Sequence, residues 1–164
     1  MTLDAERVRR GSLGLPLLVA ALAGAAIAGY LSITRLVGEP AACGPSHGCE
    51  TVAQSEYSVL LGFLPVASLG LGVSLVLVVL AATWWRRAER RALLAAYGLL
   101  LLGTLFVAYL TYLELFVLQA ICPWCVAYAV TVVAALAIAG LALGRSSRGS
   151  AARLPGPSAR VRTR

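Results

Sequence analysis

The chain has 164 residues, of which 60% are hydrophobic and 13% charged, with a mean hydropathy of +0.85. A soluble domain carries about 25% charged residues, so about half the expected charge is missing and the composition is that of an integral membrane protein. The net charge of +7 does not point to nucleic acid: lysine is absent, and the 14 basic residues are arginines gathered beside apolar runs, the pattern left by the positive-inside bias.

In chain order, residues 1–13 form a short arginine-bearing N-terminal tail, with Arg7, Arg9 and Arg10. Residues 11–34 carry no charge, and a first spanning helix is expected over about 14–36, since a span needs about 20 apolar residues. An arginine-led apolar stretch also suits a signal peptide, but this one exceeds the usual h-region length and precedes further spans, so it reads as a retained helix. An outer loop is expected over 37–59. A second span follows at about 60–84, closed by Trp84 and Trp85 beside Arg86, Arg87, Arg90 and Arg91, as an interfacial aromatic belt predicts. Residues 92–144 contain a single charge, Glu114. As one helix this run would measure about 80 Å, so it must reverse once, near Gln119, Ala120 and Ile121, giving spans at about 92–117 and 122–143. Small residues (Ala21, Gly24, Ala25 and Ala28 in the first span; Gly62, Gly70 and Gly72 in the second) suit close helix approach. Residues 144–164 are short and polar and read as a disordered tail. The expected fold is all-α: a four-transmembrane-helix bundle with an extracytoplasmic cysteine loop.

Arginine placement sets the orientation. Thirteen of the 14 lie in the two tails or the loop between the second and third spans, and only Arg35 lies opposite; the crowded side is expected to be the cytoplasm. All four cysteines then fall outside it, Cys43 and Cys49 in the long loop and Cys122 and Cys125 at the start of the fourth span. That is a compartment where disulfides form and persist.

Cys122-Pro123-Trp124-Cys125 is a C-x-x-C motif at a helix start. Pro123 suits the first helical position, making Cys122 the N-cap and placing the helix's positive end at a thiolate. Cys125 sits one turn inside, at the headgroup boundary. Cys43 and Cys49 enclose five residues. Alone they would equally suit a static disulfide, but two pairs on one face are the minimum relay for thiol–disulfide exchange. A zinc site drawing on Cys43, His47, Cys49 and the C-x-x-C is the metal-binding alternative; the glycine- and proline-rich surroundings of His47 read better as a mobile loop, with His47 solvated.

The Cys43 to Cys49 segment, Ser55, Gly62 and Pro65, and the run Leu115-Phe116-Val117-Leu118 before Cys122-Pro123-Trp124-Cys125 together resemble the bacterial branch of the vitamin K epoxide reductase family, over about residues 15–143. That resemblance implies a four-helix bundle around a quinone, menaquinone or ubiquinone, with the loop pair as a lid. It implies that Cys122 and Cys125 are the catalytic disulfide, with Cys125 facing the quinone. Cys49 would be the loop cysteine that reaches Cys122, and Cys43 the one that first meets a partner. Ser55 matches a serine that supports the loop and site, although Ser is also a common helix cap. Tyr128, one turn past Cys125, is placed to stack on or hydrogen-bond a quinone. Many bacterial members carry a fused thioredoxin-like domain, which is not expected here; a separate periplasmic thioredoxin-like protein is the expected partner, and the bacterial inner membrane the expected location of this chain. The disulfide bond formation protein B type also has four helices and two outer pairs, but in the reverse order along the chain. A tetraspan with structural disulfides or zinc is the non-enzymatic alternative. Glu114, an ionisable group inside a span, is a functional candidate, but eight residues before Cys122 it reads better as an interfacial group near the outer boundary, and Arg35 has Glu39, Glu50, Glu56 or lipid phosphate as candidate partners.

Overall fold

The computed structural model describes residues 2–39, 41–43, 48–60 and 64–151. Among the described residues there are five α-helices: α1 Thr2–Val37, α2 Gly48–Gln54, α3 Val66–Arg87, α4 Arg90–Tyr112 and α5 Pro123–Ala151. A 3-10 turn, Glu56–Ser58, follows α2. Strands β1 (Val59–Leu60) and β2 (Leu64–Pro65) pair antiparallel, Val59 opposite Pro65 and Leu60 opposite Leu64. Four segments are long and apolar enough to cross a membrane: Ser12–Val37, Val66–Arg87, Arg90–Leu118 and Pro123–Ser146.

The second long helix begins at Val66 rather than near residue 60. Pro65 disfavours helical geometry at the residue before it, so this stretch pairs as extended chain before α3 can start. At the other end of the chain, α5 continues through Ala151, past the expected close at 143 and into the segment read as disordered; the first proline beyond the span is Pro155. Residues 152–164 lie outside the described residues, as do His47 and Gly62.

The long helices form a ring in which α1 packs on α3 and α5, and α4 packs on α3 and α5. α3 and α4 are joined by Ala88 and Glu89. Ala88 takes the left-handed conformation (φ 59°, ψ 25°) and its N–H caps Trp84 O at 2.9 Å, ending the helix as glycine usually does.

The core is unevenly distributed. Its buried members are Leu17 and Ala21 of α1, Leu77, Ala81 and Trp84 of α3, Ala92, Leu93, Ala96, Leu100 and Val107 of α4, and Val132, Ala135, Ala139 and Ala142 of α5. All but Val107 and Val132 belong to the half of the bundle beside the arginine-bearing α3–α4 turn. Alanines at helical spacing let the backbones close together there. Toward the opposite end the helices part around a cavity of about 670 Å³. The outward faces carry Val19, Leu22, Val79, Leu102, Leu105 and Val130, each at least half exposed, as lipid contact requires. Gly24 and Gly70 sit at interfaces, a Cβ on either coming within 3.6 Å of a neighbouring side chain, whereas Gly72 faces open space.

Candidate functional site

At the end of α4 the backbone widens into a π-helix, Leu113–Leu118, stopped by Gln119 in the left-handed conformation. The N–H groups of Gln119 and Ala120 both reach the Glu114 carbonyl, five and six residues back, a wider closure around a left-handed residue than the Schellman motif makes. This turn carries Leu113 and Glu114 inward, at 6% and 5% exposure, while Leu115, Phe116 and Val117 face out. The interfacial reading of Glu114 is therefore overturned. Its Oε2 accepts a 3.4 Å hydrogen bond from the Cys122 N–H, and its carboxylate lies beside the Cys125 thiol.

Cys122 caps α5 with its sulfur. Sγ accepts the N–H of Cys125, the third residue of the helix, at 3.4 Å, the position a serine or aspartate oxygen takes at an N-cap. Cys122 is buried and Cys125 partly so, and both are free thiols. The Cys122 thiol is lowered to about 7, chiefly by the hydrogen bond from the Cys125 thiol, helped by the Cys125 and Trp124 backbone amides and opposed by burial and by Glu114. A cysteine so poised is substantially thiolate near neutrality.

Cys43 and Cys49 are joined as a disulfide. Cys49 is buried at 4% exposure and Cys43 only partly so. The Cys49 Sγ lies 3.3 Å from the Cys122 Sγ, within the range at which reacting atoms are already in place. The outer loop pair and the helix pair are thus one constellation of four sulfurs.

Three features hold the loop there. A Cβ at Gly48 would run into the carbonyl oxygen of Ile121, so only glycine lets the start of α2 rest on the chain that leads into Cys122. Arg35, in the last turn of α1, donates from Nη1 to Ala53 O at 2.7 Å and to Ser58 Oγ at 2.9 Å, and a cation at the C-terminal end of α2 also meets its dipole. Ala42, next to Cys43, is held on both sides: its N–H donates to Tyr30 Oη at 2.9 Å, and its carbonyl accepts from Trp124 Nε1 at 3.0 Å. The Tyr30 and Trp124 rings themselves touch, with centroids 4.8 Å apart. Tyr30 was not singled out from the sequence, although it is the one aromatic residue in the first span.

The cavity reaches all these elements. It is bordered by Cys49, Cys122, Cys125, Glu114 and Tyr128, and beyond them by apolar side chains such as Val73 and Phe106. Its size is that of a small-molecule pocket, and mostly apolar walls with a few converging polar groups suit the flat, two-carbonyl ring of a quinone. Tyr128 borders it, but its hydroxyl donates to Gly70 O at 3.2 Å and lies 3.2 Å from Ser74 Oγ, so the ring face is what it offers. Ser55 also borders the cavity. It precedes the 3-10 turn without a side-chain cap bond, and its Oγ donates back to Val52 O at 2.7 Å.

The vitamin K epoxide reductase family model matches residues 15–140, which is most of the chain, and the chain belongs to that family.

Proposed function

We propose that this member of the vitamin K epoxide reductase family is a quinone-dependent protein-dithiol oxidase, which takes electrons from a separate thioredoxin-like protein outside the cytoplasm and so supports disulfide formation there. Family membership gives a membrane redox enzyme. The observation that carries the finer reading is the 3.3 Å approach of Cys49 Sγ to Cys122 Sγ.

The thiols act in sequence, each step a thiolate attack through a mixed disulfide. A thiolate of the partner attacks Cys43, the more accessible sulfur of the loop pair, and Cys49 leaves; the partner's second thiol then releases Cys43. Cys49 attacks Cys122 of an oxidised Cys122–Cys125 pair, displacing Cys125 as thiolate. Cys43 then attacks Cys49 and frees Cys122. The outcome is a loop disulfide above a reduced helix pair, the arrangement observed here. A bound quinone would supply a two-electron acceptor beside Cys125, and the Cys122–Cys125 disulfide re-forms. Cys125, Ser55 and Tyr128, with the apolar walls, are the residues proposed to hold it. The arginine distribution supports a bacterial inner-membrane setting with both termini in the cytoplasm and the cysteines on the other side.

The test is quinone absorbance during turnover with a reduced thioredoxin-like protein. Cys125→Ala is expected to abolish it, and undiminished turnover would overturn the proposal. A reduced partner lacking its second cysteine cannot release Cys43 and is expected to accumulate, with the unsubstituted chain, as a mixed disulfide through Cys43 that Cys43→Ala abolishes.

A further inference from the structure

Glu114 is the buried titratable group that the thiol relay leaves without a part. It borders the same cavity as Cys125, while the other carboxylates there, Glu39 and Glu50, are exposed on the outer loop. Arg35, the arginine bordering the cavity, directs Nη1 to Ala53 O and Ser58 Oγ. A carboxylate within a membrane span is unfavourable and is retained where it has work to do. Accepting the Cys122 N–H does not require one, since a glutamine oxygen would accept it equally well. What the carboxylate adds is the capacity to receive a proton, and the thiol beside it in the cavity is that of Cys125.

Cys122 stands just before the span Pro123–Ser146, buried beneath Cys49, while Cys125 lies within the span and borders the cavity. A proton leaving Cys125 there needs an acceptor inside the bundle, and Glu114 borders the same cavity.

Resting on the reading of Cys122 and Cys125 as a dithiol oxidised by a quinone, we propose that Glu114 is a catalytic residue of that step, its carboxylate taking the proton from Cys125 Sγ and delivering it into the cavity. As the step proceeds both S–H bonds break, the Cys122–Cys125 S–S bond forms, and the electron pair passes to the quinone. Two protons accompany the pair: the one that Glu114 holds, taken from Cys125, and the one that Cys122 gives up.

The test separates the proton acceptor from the quinone. In the full chain with Cys43, Cys49 and Cys122 replaced by Ser, Cys125 is alkylated with a small apolar maleimide in the absence of quinone. Glu114→Gln is expected to slow alkylation at least tenfold. Glu114→Ala is expected to be equally slow and to regain rate on addition of formate, a small carboxylate that fits the space left. Equal rates for Glu and Gln would overturn the proposal, and so would an Ala variant that formate leaves slow, which would mark Glu114 as a packing and anchoring group. A second arm oxidises the pre-reduced chain, with all four cysteines present, by a soluble quinone in a single turnover, where Glu114→Gln is expected to lose about 10²-fold, the scale of a proton-transfer contribution. If the unsubstituted chain fails to reduce quinone at all, the quinone reading falls, while the alkylation arm still decides whether Glu114 serves Cys125.

Discussion

Cys49 and Cys122, separated by 73 positions in the chain, hold their sulfurs 3.3 Å apart, although one sits on a short loop helix and the other caps a membrane-spanning one. The contact depends on backbone fit. Gly48 rests on Ile121 where no larger residue can, and these two are the immediate chain neighbours of the paired cysteines. Gly48→Ala is therefore expected to lift the start of α2 and slow exchange by about 10²-fold, the usual scale for an ångström-sized misplacement of reacting groups. The rate at which Cys49 displaces a small aromatic thiol from a preformed mixed disulfide on Cys122, in a Cys43→Ala, Cys125→Ala background, measures this. An unchanged rate would show that α2 finds Cys122 without the glycine contact.

The Cys122 thiol, lowered to about 7 mainly by the hydrogen bond from Cys125, sets a pH dependence. Thiolate is the nucleophile, so the reaction of reduced Cys122 with a small disulfide should rise through about pH 7 and level off above it. The donated bond favours the charged form. Its removal in Cys125→Ala should thus move the midpoint upward, toward an ordinary thiol. The comparison is made in a chain lacking Cys43 and Cys49, and a downward movement would contradict the assignment.

Tyr30 and Trp124 share Ala42 as a common partner. Trp124→Phe removes the indole donor and Tyr30→Phe the hydroxyl acceptor. Each is expected to weaken the loop's attachment by about 1 kcal/mol, read as roughly fivefold faster hydrogen exchange at the Ala42 amide. Because both bonds meet at one residue, the double variant should depart from the sum of the singles. Strict additivity would mean that the two act independently.

Ala88 ends α3 with a φ of 59°, a conformation that is unfavourable for a residue bearing a Cβ. Ala88→Gly should relieve it and raise stability by about 1 kcal/mol, measured as a higher midpoint for thermal unfolding in detergent. It lies at the end of the bundle away from the sulfurs, so Cys49–Cys122 exchange should be unaltered.

The spans were legible because lipid exposure enforces uninterrupted apolar runs, and the reversal near Gln119 because 53 such residues cannot cross once. Cys122 as the N-cap of the last helix was equally open to inspection, since Pro123 fixes the first helical position. The burial of Glu114 was not. Distance along the chain from Cys122 placed it near the outer boundary, and only the π-helical turn, which leaves no simple periodic trace, carries it inward beside two thiols. The Ala42 clamp was hidden for another reason. Tyr30, Ala42 and Trp124 come from three segments far apart in sequence, and two of the bonds end on backbone atoms, which carry no residue signature. Arg35 offered several acidic partners in the sequence, but it bonds to a backbone carbonyl and to the Ser58 hydroxyl.

The uneven filling of the bundle has a consequence for where reducing power can enter. Between Val132, beside the cavity, and Arg145, at the far edge, α5 runs about 20 Å along a seam packed with Ala135, Ala139 and Ala142. That seam is an insulator. Small thiols on the arginine-rich face meet packed hydrocarbon rather than a route to the sulfurs, so under the proposed function the cysteines answer to the redox poise of the opposite face.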